Sequence, residues 1–274
     1  MNRWIALSSG LLIGCGGANE ETLVDELRVM DIVADPPEVA PGAEATLTTT
    51  VADPLDVAPD ILVWTCTNLG DGCLEASDPA QGTTVGTLTE GQLVTPVFAP
   101  AALAAVVADG TTVLPVLVWA LACAPGACPP IDLAAMPPES GSADADTLSA
   151  FLADPFTGAR DLPLAGTSLA FSQLGVSMRS EPVTNPVILA GNDAPEVGVG
   201  DSLDLTFDVE AEGPTFAYGY TTLGGFDSAE YDVVDGSVTL TWYGSEEPGT
   251  ADLWIIVNGE EGGSALWHAQ GTVR

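Results

Sequence analysis

The chain consists largely of short segments in which apolar and polar residues alternate with a period of two. This alternation is typical of β-strands with one buried face, and Gly, Pro, Asn and Asp residues that favour turns separate the segments. In the first half the pattern predicts strands at 27–34, 44–52, 61–67, 92–98, 112–123 and 168–178. In the second half it predicts strands at 201–210, 216–222, 230–234, 237–243, 251–257 and 265–273. The pattern therefore predicts an all-β protein.

One segment of the first half recurs in the second half. Residues 35–49 read DPPEVAPGAEATLTT and residues 193–207 read DAPEVGVGDSLDLTF, and the two coincide at several positions with a constant offset of 158. The shared residues are Asp35, Pro37, Glu38, Val39, Gly42, Leu47 and Thr48 with their counterparts. Proline lacks an N–H and glycine permits a positive-φ turn, so each copy predicts an edge segment, a corner and a core strand.

This order of edge segment, Pro–Gly corner and core strand resembles the start of bacterial immunoglobulin-like domains. The resemblance implies two tandem immunoglobulin-like β-sandwiches, over 26–182 and 184–274. The second span has the length of one ordinary sandwich, whereas the first is longer and needs an insertion.

The insertion is predicted where the alternation breaks, after Cys128. Leu148, Phe151 and Leu152 have the spacing of one face of a short helix. We therefore predict a loop and a short helix over about 129–165, before the last strand of the first domain. Long loops on a rigid sandwich often carry binding, so adhesin-like recognition of a partner or glycan through this insertion is an alternative function.

The run from Thr95 to Cys123 contains a single charge, Asp109, and could be compared with a membrane-spanning hairpin. Asp109 and Gly110 divide the run and Pro115 interrupts its second half, so neither piece reaches the ~20 apolar residues that a spanning helix needs. We predict two buried strands joined by a turn.

The N-terminus has the pattern of an export signal. Arg3 precedes the uncharged segment 4–13, which is shorter than a membrane-spanning helix. Residues 12–15, LIGC, resemble the lipobox of bacterial lipoproteins. The resemblance implies a signal peptide over 1–14, cleavage before Cys15, and a lipid on the Cys15 sulfur that attaches the protein to the membrane. An ordinary secretory signal with an incidental cysteine is the alternative.

The same resemblance implies a location. Gly16 is not the Asp that often retains such lipoproteins at the inner membrane, so the outer membrane is expected, with the protein facing the periplasm or the cell surface. Residues 16–21 are small and then acidic, and we predict that residues 15–25 form a flexible tether.

Charge narrows the choice of partners. The chain has 39 acidic residues against five arginines and no lysine, with a formal net charge of −34. Such a surface repels nucleic acid and anionic lipid headgroups, and it suits a basic protein partner, divalent cations or simple solvation. Residues 192–195, NDAP, partly resemble the calcium linkers of cadherins, but the repeat explains them without calcium, and a calcium partner stays open.

Four cysteines remain once Cys15 is set aside, and an exported protein is expected to use them in disulfides. Cys66 and Cys123 lie at the ends of strands that would pair antiparallel, so these two residues should be far apart. The local pairs Cys66–Cys73 and Cys123–Cys128 are therefore favoured. A zinc site is disfavoured because six residues separate Cys66 from Cys73.

No catalytic, cofactor-binding or metal-ligating set is predicted. His268 is the only histidine, it lies in the last predicted strand, and no nucleophile elbow accompanies it. Phosphate-binding and dinucleotide-binding glycine loops are also missing from the sequence. The expected function is a non-enzymatic, lipid-anchored envelope protein that acts as a scaffold or protein-interaction module. An accessory subunit of an envelope enzyme or secretion complex is the remaining alternative.

Overall fold

A computed structural model describes residues 18–67, 84–126, 162–164, 167–191, 194–260 and 262–274. Cys15, Cys73, Cys128 and the helix predicted within the insertion lie outside these residues. The described part is built from β-strands, with short 3-10 helices at Glu20–Thr22 and Ala101–Ala105.

The first half folds into two facing sheets. Its strands are β1 (Arg28–Asp35), β2 (Glu38–Val39), β3 (Glu44–Ala52), β4 (Asp60–Thr67), β5 (Thr84–Thr87), β6 (Gln92–Phe98), β7 (Leu114–Cys123), β8 (Leu162–Leu164) and β9 (Thr167–Val176). One sheet has the order β1-β3-β6, and the other has the order β2-β9-β7-β4-β5 with β8 paired to β9.

The second half repeats this plan. Its strands are β10 (Val187–Ala190), β11 (Glu196–Val197), β12 (Ser202–Glu210), β13 (Thr215–Thr221), β14 (Gly225–Phe226), β15 (Tyr231–Asp232), β16 (Ser237–Tyr243), β17 (Gly249–Gly259) and β18 (Ser264–Val273). The sheets have the orders β10-β12-β16-β14 and β11-β18-β17-β13-β15.

In both halves the first strand is split between the two sheets. β1 and β10 pair antiparallel with β3 and β12, whereas the following two-residue strands, β2 and β11, pair parallel with the last strands, β9 and β18. This division of the first strand is an immunoglobulin-like arrangement. The fold prediction is confirmed: the chain is all-β and consists of two tandem immunoglobulin-like β-sandwiches.

The repeated motif builds the same corner in both sandwiches. Val39 and Val197 are buried on the two-residue strands. Gly42 and Gly200 then turn the chain at φ values of +80° and +71°, where a side chain would be strained. The strands that follow bury Leu47 of β3 and its counterpart on β12 between the sheets.

Each sandwich has its own apolar core. The first buries Ile32, Leu47, Ile61, Val118 and Leu174, and the second buries Leu205, Phe207, Trp242, Leu253 and Ile255. The apolar run from Thr95 to Cys123 contains the end of β6, an edge strand with one buried face, and all of β7, which is largely buried. These two strands lie in different sheets and are connected through the 3-10 helix Ala101–Ala105, rather than by a simple turn. In the described ranges, no helix combines the length and apolar character needed to cross a membrane.

Candidate protein-interaction surfaces

The chain enters the fold through the second sandwich. The backbone N–H of Asn19 donates to the Phe226 carbonyl at 2.6 Å, and that of Val24 donates to the Thr221 carbonyl at 2.8 Å. Leu23 forms a parallel bridge with Thr221. We call residues 19–24 the N-terminal strap. The prediction of a flexible tether is wrong for these residues, because their backbone groups bond to a folded strand and its neighbour.

Thr22 fixes the strap at its centre. Its side chain is fully buried, and its Oγ1 donates to the Asn19 carbonyl at 2.6 Å. The same oxygen accepts a hydrogen bond of 2.9 Å from the Phe226 N–H in β14. One hydroxyl thus bonds to two backbone groups, a carbonyl in the strap and a buried N–H in the second sandwich.

An apolar cluster joins the two sandwiches. It contains Val24, Met30 and Ala52 from the first part of the chain and Trp254 and Ile256 from β17, all buried. Tyr218, Tyr220 and Leu266 pack around it. We call this set the interdomain cluster. It lies on the outer face of the sheet β11-β18-β17-β13-β15, because the alternate residues of β17 face the core of the second sandwich.

A β-bulge directs Met30 into the interdomain cluster. Val29 pairs with Val51 and Asp31 pairs with Thr50, so Met30 between them has no partner on β3. A bulge re-aims a side chain that regular pleating would place elsewhere. The sequence pattern missed this residue because a bulge leaves no signal in a period-two alternation.

Asp31 is a buried carboxyl at the same interface. Its Oδ2 accepts a hydrogen bond of 2.6 Å from Ser264 Oγ in the second sandwich, and its Oδ1 accepts one of 2.8 Å from the Ile32 N–H. Burial raises the pKa of Asp31 to about 6, against the lowering effect of these two hydrogen bonds. Asn185 bridges beside it, donating to the Ala34 carbonyl at 2.8 Å and accepting from the Ser264 N–H at 3.0 Å.

His268 extends the interface toward solvent. Its Nε2 lies 3.1 Å from Asp252 Oδ1, and its ring stacks on Trp254 with centroids 5.2 Å apart. The hydrogen bond with His268 lowers the pKa of Asp252. These residues line a groove between the sandwiches, together with Glu90 and Asp53. Across the residues that the structure describes, no group of three or more His, Cys, Asp and Glu side chains could hold a metal ion.

The described arginines are all engaged within the fold. Arg179 pairs with the buried Glu38, and Arg274 pairs with Glu196. Arg28 lies over the Tyr220 ring, 4.5 Å from its centroid. Arg179 and Arg274 therefore neutralise local carboxylates, Arg28 packs on an aromatic ring, and the chain keeps its large excess of acidic residues.

The predicted cysteine sites are only partly described. Cys66 pairs in register with Leu117, whereas Cys123 pairs with Asp60, so the two cysteines lie at opposite ends of the antiparallel pair β4–β7. Cys123 is disulfide-bonded. Cys73 and Cys128 lie outside the described residues, and the pairs Cys66–Cys73 and Cys123–Cys128 stay predictions.

Large apolar side chains are exposed on two edge strands. Val94 and Phe98 lie on β6, and Val187 and Leu189 lie on β10. Pro96 stands between the two exposed residues of β6, where its missing N–H disfavours the addition of another strand. The edge of β10 carries no such proline within Val187–Ala190.

Comparisons with known proteins add no family. Neither a protein-family profile nor a curated protein matches the chain. The N-terminal Ig1-2 module of the Drosophila receptor protein tyrosine phosphatase DLAR is 11% identical, with a TM-score of 0.27 over 91% of this chain and 99% of that chain. The fibronectin(III)-like modules of Clostridium thermocellum CbhA are 10% identical, with a TM-score of 0.29 over 90% and 94%. The D0-D1 domain of intimin is 12% identical, with a TM-score of 0.23 over 89% and 98%. The fold assignment therefore stands on the sheet topology of the chain itself.

Proposed function

We propose that this protein is a non-enzymatic, lipid-anchored envelope protein whose two joined sandwiches act as a scaffold or protein-interaction module. The lipid is attached to Cys15, and the protein is held at the outer membrane, facing the periplasm or the cell surface. Its partner is another protein of the envelope.

The observation that carries the scaffold role is the interface between the sandwiches. Domains of one chain are expected to move relative to each other unless their interface is large and apolar. Here Met30, Trp254 and Ile256 are buried together, and Asp31 and Ser264 form a buried hydrogen bond beside them. The strap adds a second crossing of the chain between the sandwiches. A joint of this kind holds surfaces on both sandwiches in a fixed relative position.

The position of the strap supports a short anchor. Three residues lie between Cys15 and Asn19, which bonds to the second sandwich, so the chain advances by four residues from one to the other. At 3.3–3.6 Å per residue, a fully extended chain of this length spans about 14 Å. A lipid on Cys15 would therefore hold the second sandwich beside the membrane surface.

The charge of the chain supports a basic protein as the partner. With a net charge of −34, and with Arg28, Arg179 and Arg274 engaged inside the fold, the described surface attracts cationic surfaces from a distance. Such steering raises association rates and rejects acidic competitors.

The lipid anchor is tested by replacing Cys15 with Ala. Labelling with a clickable palmitate analogue and partition into detergent should both be lost, while thermal unfolding of the two sandwiches stays unchanged. The matched control is Gly17→Ala, which leaves residues 12–15 intact and should be labelled and partitioned as the unaltered protein is. A Cys15→Ala protein that still enters the detergent phase, or an unaltered protein without label, would defeat the proposal.

A further inference from the structure

The internal repeat extends to an irregularity of the first strand. β1 has one bulged residue, Met30, and β10 has one bulged residue, Leu189. The residues just before the two bulges pair with Val51 and Val209, which differ by the same offset of 158 as the repeated motif. Met30 and Leu189 are therefore equivalent positions of the two sandwiches.

The two equivalent residues have opposite surroundings. Met30 is 2% exposed, because it is buried in the interdomain cluster. Leu189 is 60% exposed, and Val187 two residues earlier on the same strand is 49% exposed. The second sandwich thus presents, uncovered, the apolar position that the first sandwich uses to bind its neighbour. Exposed adjacent apolar residues on an edge strand are typical of an interaction site.

The surroundings of Met30, the buried member of the pair, show what kind of surface this position binds. Met30 packs on the outer face of a five-stranded sheet, where Trp254 and Ile256 of β17 are flanked by Tyr218 and Tyr220 of β13. The complementary surface is therefore an outer sheet face of a β-sandwich, rich in aromatic and branched aliphatic side chains.

A second molecule of this chain does not expose an outer sheet face of this kind. In the second sandwich, the outer sheet face is covered by the first sandwich. The first sandwich has the equivalent positions, since Trp64 pairs with Trp119 as Tyr220 pairs with Trp254. There Trp64 is 6% exposed and Leu121 is 2% exposed, so this face is covered as well.

We propose that Leu189 and Val187 on β10 form a docking surface for the aromatic outer sheet face of a β-sandwich in another protein. This inference rests on the interaction-module part of the proposed function and not on the lipid at Cys15. The result of the Cys15→Ala experiment therefore does not bear on the docking surface. Failure of the docking test would likewise not bear on the lipid anchor.

The test uses a variant of this chain in which the outer sheet face around Trp254 is exposed, so that this face can bind Leu189 of another molecule. Met30→Asp places a charge in the interdomain cluster and should free the Trp254 face, which increased quenching of tryptophan fluorescence by acrylamide would report. Sedimentation velocity should then show head-to-tail self-association of Met30→Asp chains. Adding Leu189→Asp should weaken that association about tenfold or more, because a buried charge opposes the contact. Adding Leu55→Asp, at an exposed leucine in a turn, should leave it unchanged.

The outcomes separate the possibilities. Association that is lost only with Leu189→Asp supports the docking surface. Equal association in all three proteins indicates general stickiness of the freed face and overturns the proposal, as does a freed face with no association. If Met30→Asp leaves quenching unchanged, the same series is repeated with Ala52→Asp added, which places a second charge in the cluster.

Discussion

The glutamate of the repeated motif occupies two different environments. Glu38 is buried, where its carboxylate accepts hydrogen bonds from Arg179 Nε at 3.0 Å and from the Val183 N–H at 3.1 Å. Its counterpart Glu196 is exposed and pairs with Arg274. Burial opposes ionisation of Glu38, but the hydrogen bonds from Arg179, Ser177 and Val183 outweigh it and lower the pKa.

The repeat therefore supplies a matched pair of variants. Glu38→Ala leaves the guanidinium of Arg179 and the Val183 N–H without their acceptor, and we expect the free energy of unfolding to fall by about 3 kcal/mol or more. Glu196→Ala removes an exposed ion pair and should change the free energy of unfolding by less than about 1 kcal/mol. Urea unfolding at neutral pH measures both. Equal effects of the two substitutions would contradict this account of the motif.

Asp31 predicts an unusual pH dependence. Its pKa is about 6 in the folded protein, above the ordinary value of 3.8, so folding favours the protonated carboxyl. The stabilisation is complete below about pH 4 and is lost as the pH rises through about 6, with a total of about 3 kcal/mol. Asp31→Asn should abolish this loss, so that the variant gains stability relative to the unaltered protein as the pH rises from 4 to 7.

The control is Asp35→Asn, at the exposed end of the same strand. It retains the buried carboxyl of Asp31, so the loss of stability with rising pH should persist in this variant. Chemical denaturation at several pH values measures both variants. A constant difference between Asp31→Asn and the unaltered protein from pH 4 to pH 7 would exclude Asp31 as the titrating group.

At the scale of elements, the N-terminal strap is secured by one hydroxyl. Thr22→Val keeps the shape of the side chain but removes the acceptor of the Phe226 N–H, which is then buried without a partner. We expect a loss of about 1–3 kcal/mol in stability and faster hydrogen exchange at the Phe226 amide. Thr22→Ser keeps the acceptor and should preserve protection of that amide. Unchanged exchange in Thr22→Val would mean that the strap is not held in this way.

The alternation predicted the long strands well and missed most of the short ones, although the predicted range 230–234 contains β15. The predicted ranges 44–52, 92–98 and 237–243 coincide with β3, β6 and β16. The two-residue strands β2 and β11 were missed, because two residues are too few to show a period. Their position follows only from pairing with the last strands of the sandwiches.

The sequence did not predict the strap or the bulges, for a different reason. The strap is short and begins with polar residues, which is typical of a tether, and its fixing bond joins Thr22 to Phe226, 204 positions away. Likewise, Met30 is directed to the second sandwich by an extra residue in β1. Contacts between distant parts of a chain decide both features, and local periodicity contains no information about such contacts.

At the scale of the whole molecule, charge should make stability depend on salt. A net charge of −34 produces self-repulsion in the folded state, and added ions screen it. We expect the melting temperature to rise with NaCl from low to physiological ionic strength. Because the repeat explains residues 192–195 without calcium, CaCl2 at matched ionic strength should add no further rise. A calcium-specific rise, reversed by a chelator, would instead establish a calcium site.

The joint between the sandwiches should make them unfold together. Ile256 is buried in the interdomain cluster, and Thr250 is exposed on the same strand. Ile256→Ser removes apolar contact with the first sandwich without changing the residues that face the core of the second, so coupling between the sandwiches should weaken. Differential scanning calorimetry should show one transition for the unaltered protein and for Thr250→Ser, and two transitions or one broadened transition for Ile256→Ser. If the unaltered protein already unfolds in two separate transitions, the sandwiches are independent bodies, and the scaffold role loses the rigidity on which it depends.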